Sequence, residues 1–205
     1  MKLARLLARH MPHLSFAVWD LSEFMPSFHN VRRNMVFIEC EETARMEVIR
    51  VLASDTKSRG YLVFSGERKP KAVNEEWASG ASDEVRDVIV VMARKDFKET
   101  RPLEGNIKTP VLERKLVDLI AYSLREWLPI PLEDAVDAFV WQLKSHQPRV
   151  TVLQRYATRR YLGWFLDIAL FKLSKRGQFG AHNVDPRYLE LGERYERALK
   201  KVAEL

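Results

Sequence analysis

Cysteine is nearly absent from this chain, whose 205 residues include a single cysteine, Cys40. One cysteine excludes an intrachain disulfide bond, which is typical of proteins from a reducing compartment. Because Cys40 ends an apolar run, we expect it to be a small buried residue of a strand and not a nucleophile.

Long hydrophobic runs are also missing. No apolar stretch of the sequence approaches the roughly 20 residues that a membrane-spanning helix requires. The first ten residues are basic and amphipathic, but they lack the apolar core and the small-residue cleavage site of a secretory signal. The sequence therefore predicts a cytoplasmic protein without a membrane partner.

Common enzyme signatures are absent as well. The sequence has no glycine-rich phosphate loop and no dinucleotide-binding fingerprint. It also has no paired-cysteine zinc motif and no Gly-x-Ser-x-Gly nucleophile elbow. We therefore expect no cofactor, and the leading interpretation is a non-catalytic protein.

Apolar patterning predicts a small sheet in the first part of the chain. Short apolar runs indicate strands at Phe16–Trp19, Met35–Cys40, Tyr61–Phe64 and Val88–Met92. The second of these runs is almost continuously apolar, which is typical of a central, buried strand. Helical spacing over residues 41–53 joins it to the third run, as in a parallel β-α-β unit.

Helical spacing dominates after Pro110, where a polar stretch from Lys95 ends. We predict helices at about residues 111–127, 131–145, 150–158, 159–175 and 186–203. The predicted fold class is α/β (α+β), with a small mixed β-sheet and flanking helices over residues 1–108. A helical half over residues 109–205 follows and packs on it.

Positive charge is concentrated in one segment of the helical half. The formal net charge of the chain is +6, yet residues 144–176 alone carry eight Lys and Arg side chains against one acidic residue, Asp167. Lys and Arg neutralise phosphates, and the released counterions drive association. The predicted nucleic-acid-binding residues are Lys144, Arg149, Arg155, Arg159, Arg160, Lys172, Lys175 and Arg176.

Aromatic residues interleave with these charges, and they leave three interpretations open. Tyr156, Tyr161 and Trp164 could stack on unpaired bases if they are exposed. The favoured partner is then a nucleic acid, with DNA preferred over RNA. Alternatively the segment binds a protein, as in a subunit of a larger complex, or the aromatics are core residues beneath an ordinary solvated face.

A carboxylate site is the enzymatic alternative. Glu39 and Glu41 alternate along a predicted strand and so share one face, and Asp20 follows a neighbouring strand. If their oxygens lay within about 2.6 Å of one divalent cation, the chain could be a metal-dependent phosphodiesterase or nuclease. The simpler interpretation is that the glutamates stand near a helix N-terminus, which favours negative charge.

Four pieces of the sequence together resemble a known family. They are Phe16–Trp19, Met35–Glu39 followed by a helix, Thr109–Asp118 and Tyr156–Arg160. Their order and spacing are similar to the C-terminal domain of AbiEi-like proteins, the antitoxins of prokaryotic AbiE-type abortive-infection systems, and to uncharacterised relatives of that domain. The resemblance covers roughly residues 14–165, and the stretch Pro110–Asp118 is its most specific part.

The resemblance implies an antitoxin-like accessory role without catalytic residues. Such antitoxins carry an N-terminal winged helix that binds their promoter, assisted by the basic C-terminal domain. This chain begins about 15 residues before the first matching strand, so we expect no winged helix here. Within the motif itself, Asp118 follows Lys115 by three positions and Arg114 by four, so helical spacing predicts a local ion pair with one of these two side chains.

Overall fold

The computed structural model describes residues 2–24, 26, 28, 34–56, 61–66, 87–125, 128 and 130–175. These residues belong to two compact units. The first contains the described residues up to Val111 together with Leu128, and the second contains those of 112–125 and 130–175. The predicted boundary at residue 108 falls inside the last strand of the first unit.

The first unit is built on a six-stranded mixed sheet with the order β3-β4-β2-β1-β6-β5. Strand β2 is parallel to β4 and antiparallel to β1, and β4 is also parallel to β3. The mixed α/β fold class predicted from the sequence is therefore confirmed. The strands are β1 Phe16–Asp20, β2 Asn34–Cys40, β3 Tyr61–Ser65, β4 Asp87–Ala93, β5 Thr100–Glu104 and β6 Ile107–Pro110.

Alternation along β2 supplies a buried side chain to each face of the sheet. Val36, Ile38 and Cys40 point to the face that packs with apolar side chains of two helices, α1 (Lys2–His10) and α2 (Arg45–Thr56). The other face of β2 is also buried, and Phe37 stacks there on Trp19 with ring centroids 4.4 Å apart. Burial on both faces explains the nearly continuous apolar run of the sequence.

The hairpin β5–β6 was not predicted. The sequence suggested a polar boundary between the two halves at this place, whereas β5 pairs antiparallel with β6, and β6 pairs parallel with β1. Gly105 allows the turn because its φ is 57°. Most of β5 is exposed at the sheet edge, where Pro102 is tolerated.

The second unit is helical, as predicted. Its helices are α3 Leu112–Leu124, α4 Leu132–His146, α5 Val150–Arg159 and α6 Gly163–Lys175. Helix α3 is buried from Glu113 to Ser123 and packs against both α4 and α5, while α5 also packs against α6. The predicted helix at about residues 186–203 lies outside the described residues.

No helix in the described ranges is long and apolar enough to cross a membrane.

Candidate nucleic-acid interface

Helix α5 presents an exposed face that carries positive charge only. Its ten residues include no acidic side chain. The exposed positions recur with helical spacing and are Thr151, Arg155, Thr158 and Arg159. Because Arg155 and Arg159 are four positions apart, their side chains are neighbours on the helix surface. The opposite face of α5 is apolar and buried.

The eight predicted nucleic-acid-binding residues fall into three groups. Exposed positions hold Lys144, Arg149, Arg155 and Arg159. Lys172 is half-buried on α6, and the side chain of Arg160 is only 14% exposed. The side chain of Lys175 and the whole of Arg176 lie outside the described residues.

Arg149, immediately before α5, is engaged by an acidic side chain. Its backbone N–H and its Nε both donate to Glu113 Oε1 at 3.0 Å. Burial alone would raise the pKa of Glu113, but the hydrogen bonds from Arg149 outweigh it and lower that pKa below its usual value. The charge of Arg149 is therefore matched within the protein, although its side chain is 67% exposed.

Arg160 turns inward to a buried carboxylate, Asp118, whose side chain is 0% exposed. The Nε of Arg160 lies 2.9 Å from Asp118 Oδ1, and the Nε of Arg114 lies 3.4 Å from Oδ2. The Tyr156 hydroxyl donates to the same carboxylate, at 3.1 Å from Oδ1 and 3.0 Å from Oδ2. Two guanidinium groups and one phenol thus converge on one buried carboxylate, which compensates its loss of hydration.

Aromatic rings complete this cluster. The guanidinium carbon of Arg114 lies 5.6 Å from the Tyr156 ring centroid, and that of Arg160 lies 5.6 Å from the ring centroid of Tyr122. Both distances suit cation–π contacts. We call Arg114, Asp118, Tyr122, Tyr156 and Arg160 the Asp118 cluster. Its contacts join α3 to the C-terminal end of α5.

The turn after α5 is a Schellman motif. The N–H of Leu162 donates to the carbonyl of Ala157 at 2.8 Å, and the N–H of Tyr161 donates to the carbonyl of Thr158 at 3.1 Å. Tyr161 has a φ of 59°, in the left-handed region where glycine is usual. A residue with a Cβ loses roughly 1 to 2 kcal/mol in this conformation. Tyr161 is 85% exposed, so burial of its ring does not offset that cost.

The pair α5 and α6 resembles a helix-turn-helix only in the length of its connection. In that motif the second helix enters the major groove of DNA and must be exposed. No described side chain of α6 is exposed, and Phe165, Leu166 and Ile168 are buried. The surface that this pair offers to a ligand is therefore α5 and the Tyr161 turn.

None of the protein families, curated proteins or solved structures with which the chain was compared gives a match.

The carboxylate site suggested as the enzymatic alternative does not form. In the β1–β2 pair, Asp20 is opposite Val36 and Glu39 is opposite Ala17, so the two acids are three residues apart, or about 10 Å. They also point to opposite faces of the sheet, since directly opposed residues share a face. Glu41 lies beyond the end of β2 and is exposed. The prediction that these three residues share one cation is therefore wrong.

Asp20 and Glu39 have structural contacts instead. Asp20 Oδ1 accepts the backbone N–H of Ser22 at 2.9 Å and also the Ser22 hydroxyl. Glu39 is fully buried, with its Oε1 3.6 Å from Arg94 Nη2. No group of three or more His, Cys, Asp and Glu side chains in the described part of the chain has an arrangement that could hold a metal ion.

Four large apolar side chains of the described residues are exposed, each on a different element or turn. They are Met46 on α2, Leu103 on β5, Trp141 on α4 and Tyr161 in the turn after α5. Single exposed apolar residues are normal in soluble domains. The alternative of a subunit in a larger complex stays a prediction.

Sequence reasoning paired two of the five residues of the Asp118 cluster. Helical spacing predicted an ion pair of Asp118 with Lys115 or Arg114, and the structure contains the pair with Arg114. The contacts of Asp118 with Tyr156 and Arg160 span 38 and 42 positions, which no local spacing rule covers. The one signal for them is that these residues belong to two of the four family-like pieces, Thr109–Asp118 and Tyr156–Arg160.

Proposed function

We propose that this protein is a non-catalytic nucleic-acid-binding accessory protein of the antitoxin type, with DNA preferred over RNA. The observation that carries the proposal is the exposed face of α5, where Arg155 and Arg159 stand side by side on a helix without acidic residues. Two neighbouring guanidinium groups suit the phosphates of a nucleic-acid backbone, which they contact in bidentate fashion.

The proposed interface is smaller than the basic segment of the sequence. Arg160 forms an ion pair with Asp118, and Arg149 forms one with Glu113. The positive charge of each arginine is therefore partly neutralised before a phosphate binds. Among the described residues of this segment, Lys144, Arg155 and Arg159 are the cations, besides Arg149, that stand at exposed positions. The ligand contacts proposed here therefore centre on α5, with the α4 end around Lys144 as a second position.

The antitoxin-like part of the proposal is supported by the Asp118 cluster. Asp118 ends one family-like piece, and Tyr156 and Arg160 begin and end another. Their contacts give a physical reason for the two pieces to occur together in one chain. Without the second piece, the buried carboxylate of Asp118 would lose two of its partners, and without the first piece, Tyr156 and Arg160 would lose their acceptor. This supports the resemblance to the C-terminal domain of AbiEi-like proteins.

A binding titration with a matched control tests the proposal. Fluorescence anisotropy of labelled DNA and RNA oligonucleotides is measured at low salt for the full chain and for the double variant Arg155→Ala/Arg159→Ala. The control is Arg5→Ala/Arg9→Ala, which removes the same two charges at the same spacing from exposed positions of α1. The two variants have equal net charge. Arg5 pairs with Glu104 at 3.2 Å, but both side chains are more than half exposed, so loss of this pair should change stability little.

We expect the α5 variant to bind at least about ten-fold more weakly than the unmodified chain, with a much smaller loss in the α1 control. Equal losses in both variants would mean that binding reflects total charge alone. No binding of either nucleic acid by the unmodified chain would refute the proposal.

A further inference from the structure

Tyr161 has a backbone conformation that is unfavourable for a tyrosine. It occupies the left-handed position of the Schellman motif that ends α5, with a φ of 59°. Glycine is favoured at this position because it has no Cβ. The residue at a given position usually suits the backbone conformation there. Residues that do not, and that gain no visible stability in return, are concentrated at functional sites.

The tyrosine ring gains little from the rest of the protein. The side chain is 85% exposed, the largest exposed fraction among the described large apolar residues. Within the described contacts, its hydroxyl has no hydrogen-bond partner and its ring packs on no other ring. An aromatic ring exposed to this extent is accessible to a ligand.

The backbone around Tyr161 is nevertheless held firmly. Arg160, the preceding residue, is anchored by Asp118 at 2.9 Å, and Leu162, the following residue, is buried. Two hydrogen bonds to the last turn of α5 close the motif. The ring is therefore displayed from a fixed point two positions after Arg159, at the end of the basic face of α5.

We propose that Tyr161 stacks on an unpaired base and that the ligand of the α5 face is single-stranded DNA. This inference rests on the proposed function. In a duplex the faces of the bases are covered by their neighbours, so an exposed aromatic ring stacks most readily on a base that is unpaired or flipped out. Aromatic rings beside a cationic track are the common recognition element of single-strand-binding proteins.

The arrangement fits a single strand better than a duplex. Arg155 and Arg159 contact phosphates along the axis of α5, and the Tyr161 ring receives a base at its C-terminal end. Duplex readout would require a helix that enters the major groove with several exposed side chains. The helix after the turn, α6, has no exposed described side chain, and α5 offers only two long polar side chains on its exposed face.

Three substitutions of Tyr161 separate stacking from backbone strain. Tyr161→Gly removes the ring and relieves the left-handed conformation, so the Tm should rise by roughly 2 to 4 °C. Tyr161→Ala removes the ring but keeps the Cβ and hence the strain. Tyr161→Phe keeps both the ring and the strain. Each variant is titrated by anisotropy with a single strand of about 20 nucleotides and with the duplex of the same sequence.

We expect the unmodified chain and Tyr161→Phe to bind the single strand more tightly than the duplex. Tyr161→Gly and Tyr161→Ala should bind the single strand roughly ten-fold more weakly and the duplex almost unchanged. The combination of a higher Tm and a weaker single-strand affinity in Tyr161→Gly is the expected signature.

The outcomes distinguish this inference from the proposed function. If DNA binding depends on Arg155 and Arg159 but all three Tyr161 variants retain the single-strand affinity, the stacking role is refuted and the proposed function stands. A preference of the unmodified chain for the duplex would refute the single-strand assignment in the same way. If the unmodified chain binds neither strand form, both proposals fail, and the exposed tyrosine would then suit a protein contact.

Discussion

Cys40 ends strand β2 with its side chain completely buried. Burial raises the pKa of its thiol to about 12, so almost no thiolate exists at neutral pH. Since the thiolate is the reactive form, we predict that the native protein reacts with a thiol reagent such as DTNB more than about 100-fold more slowly than the urea-unfolded chain. Absorbance kinetics check this, and comparable rates in the two states would contradict the burial.

The ionisation of Glu113 makes the free energy of unfolding depend on pH. Hydrogen bonds from Arg149 hold the pKa of Glu113 below its usual value of 4.5, so the folded protein binds this proton less tightly than the unfolded chain does. The resulting stabilisation is complete above about pH 4.5 and is lost as the pH falls through the lower, folded pKa.

We therefore predict that Glu113→Gln lowers the free energy of unfolding by about 1 kcal/mol at neutral pH. The difference from the unmodified protein should shrink as the pH falls below about 4.5, because the original side chain is then protonated too. Urea unfolding at several pH values measures it. Glu41→Gln, at an exposed position, is the control. A difference that does not change with pH would contradict the assigned role.

At the scale of elements, the Asp118 cluster joins α3 to the end of α5. Removing the carboxylate takes the acidic partner from the buried guanidinium group of Arg114 and from the largely buried one of Arg160. We predict that Asp118→Ala destabilises the protein by roughly 3 to 5 kcal/mol. Asp118→Asn should lower the free energy of unfolding by less, because the carbonyl oxygen of asparagine can still accept two hydrogen bonds.

Chemical denaturation of the purified variants provides the measurement. The control is Glu47→Ala, which breaks an ion pair with Arg50 whose side chains are 49% and 75% exposed, and it should change stability little. Equal effects of Asp118→Ala and Glu47→Ala would show that the cluster does not hold the helices together.

The elements that bury an apolar face could be predicted from the sequence. Helices α3 to α6 and strands β1 to β4 were predicted to within a few residues of their observed ends, because the spacing of their apolar residues reflects which side chains are buried. The hairpin β5–β6 could not be predicted in this way. Most of β5 is exposed, so its sequence has no apolar alternation, and Pro102 and Gly105 argue locally against a strand.

The candidate site was predicted in outline only. A charge count identified the basic segment, but it grouped Arg160 with Arg155 and Arg159 as a nucleic-acid-binding residue. Helix α5 ends at Arg159, so Arg160 leaves the helical spacing and turns towards Asp118. The left-handed φ of Tyr161 is likewise a property of the folded turn, since its sequence contains no glycine at that position.

At the scale of the whole molecule, charge is unevenly distributed. The formal net charge is +6, and the segment 144–176 carries eight cationic side chains against one acid. Two of those cations, Arg149 and Arg160, are matched by Glu113 and Asp118, so the available positive charge is less than the count suggests. Association with a nucleic acid should therefore depend on a few phosphate contacts and be sensitive to salt.

The dependence of DNA affinity on salt tests the central claim most directly. The logarithm of the association constant is measured against the logarithm of the salt concentration for the unmodified chain, for Arg155→Ala/Arg159→Ala and for Arg5→Ala/Arg9→Ala. If the α5 arginines each contact a phosphate, the slope of the α5 variant is shallower by roughly 1.4 to 1.8, and the slope of the α1 control is nearly unchanged. Identical slopes for all three proteins, or no measurable binding at low salt, would contradict the account.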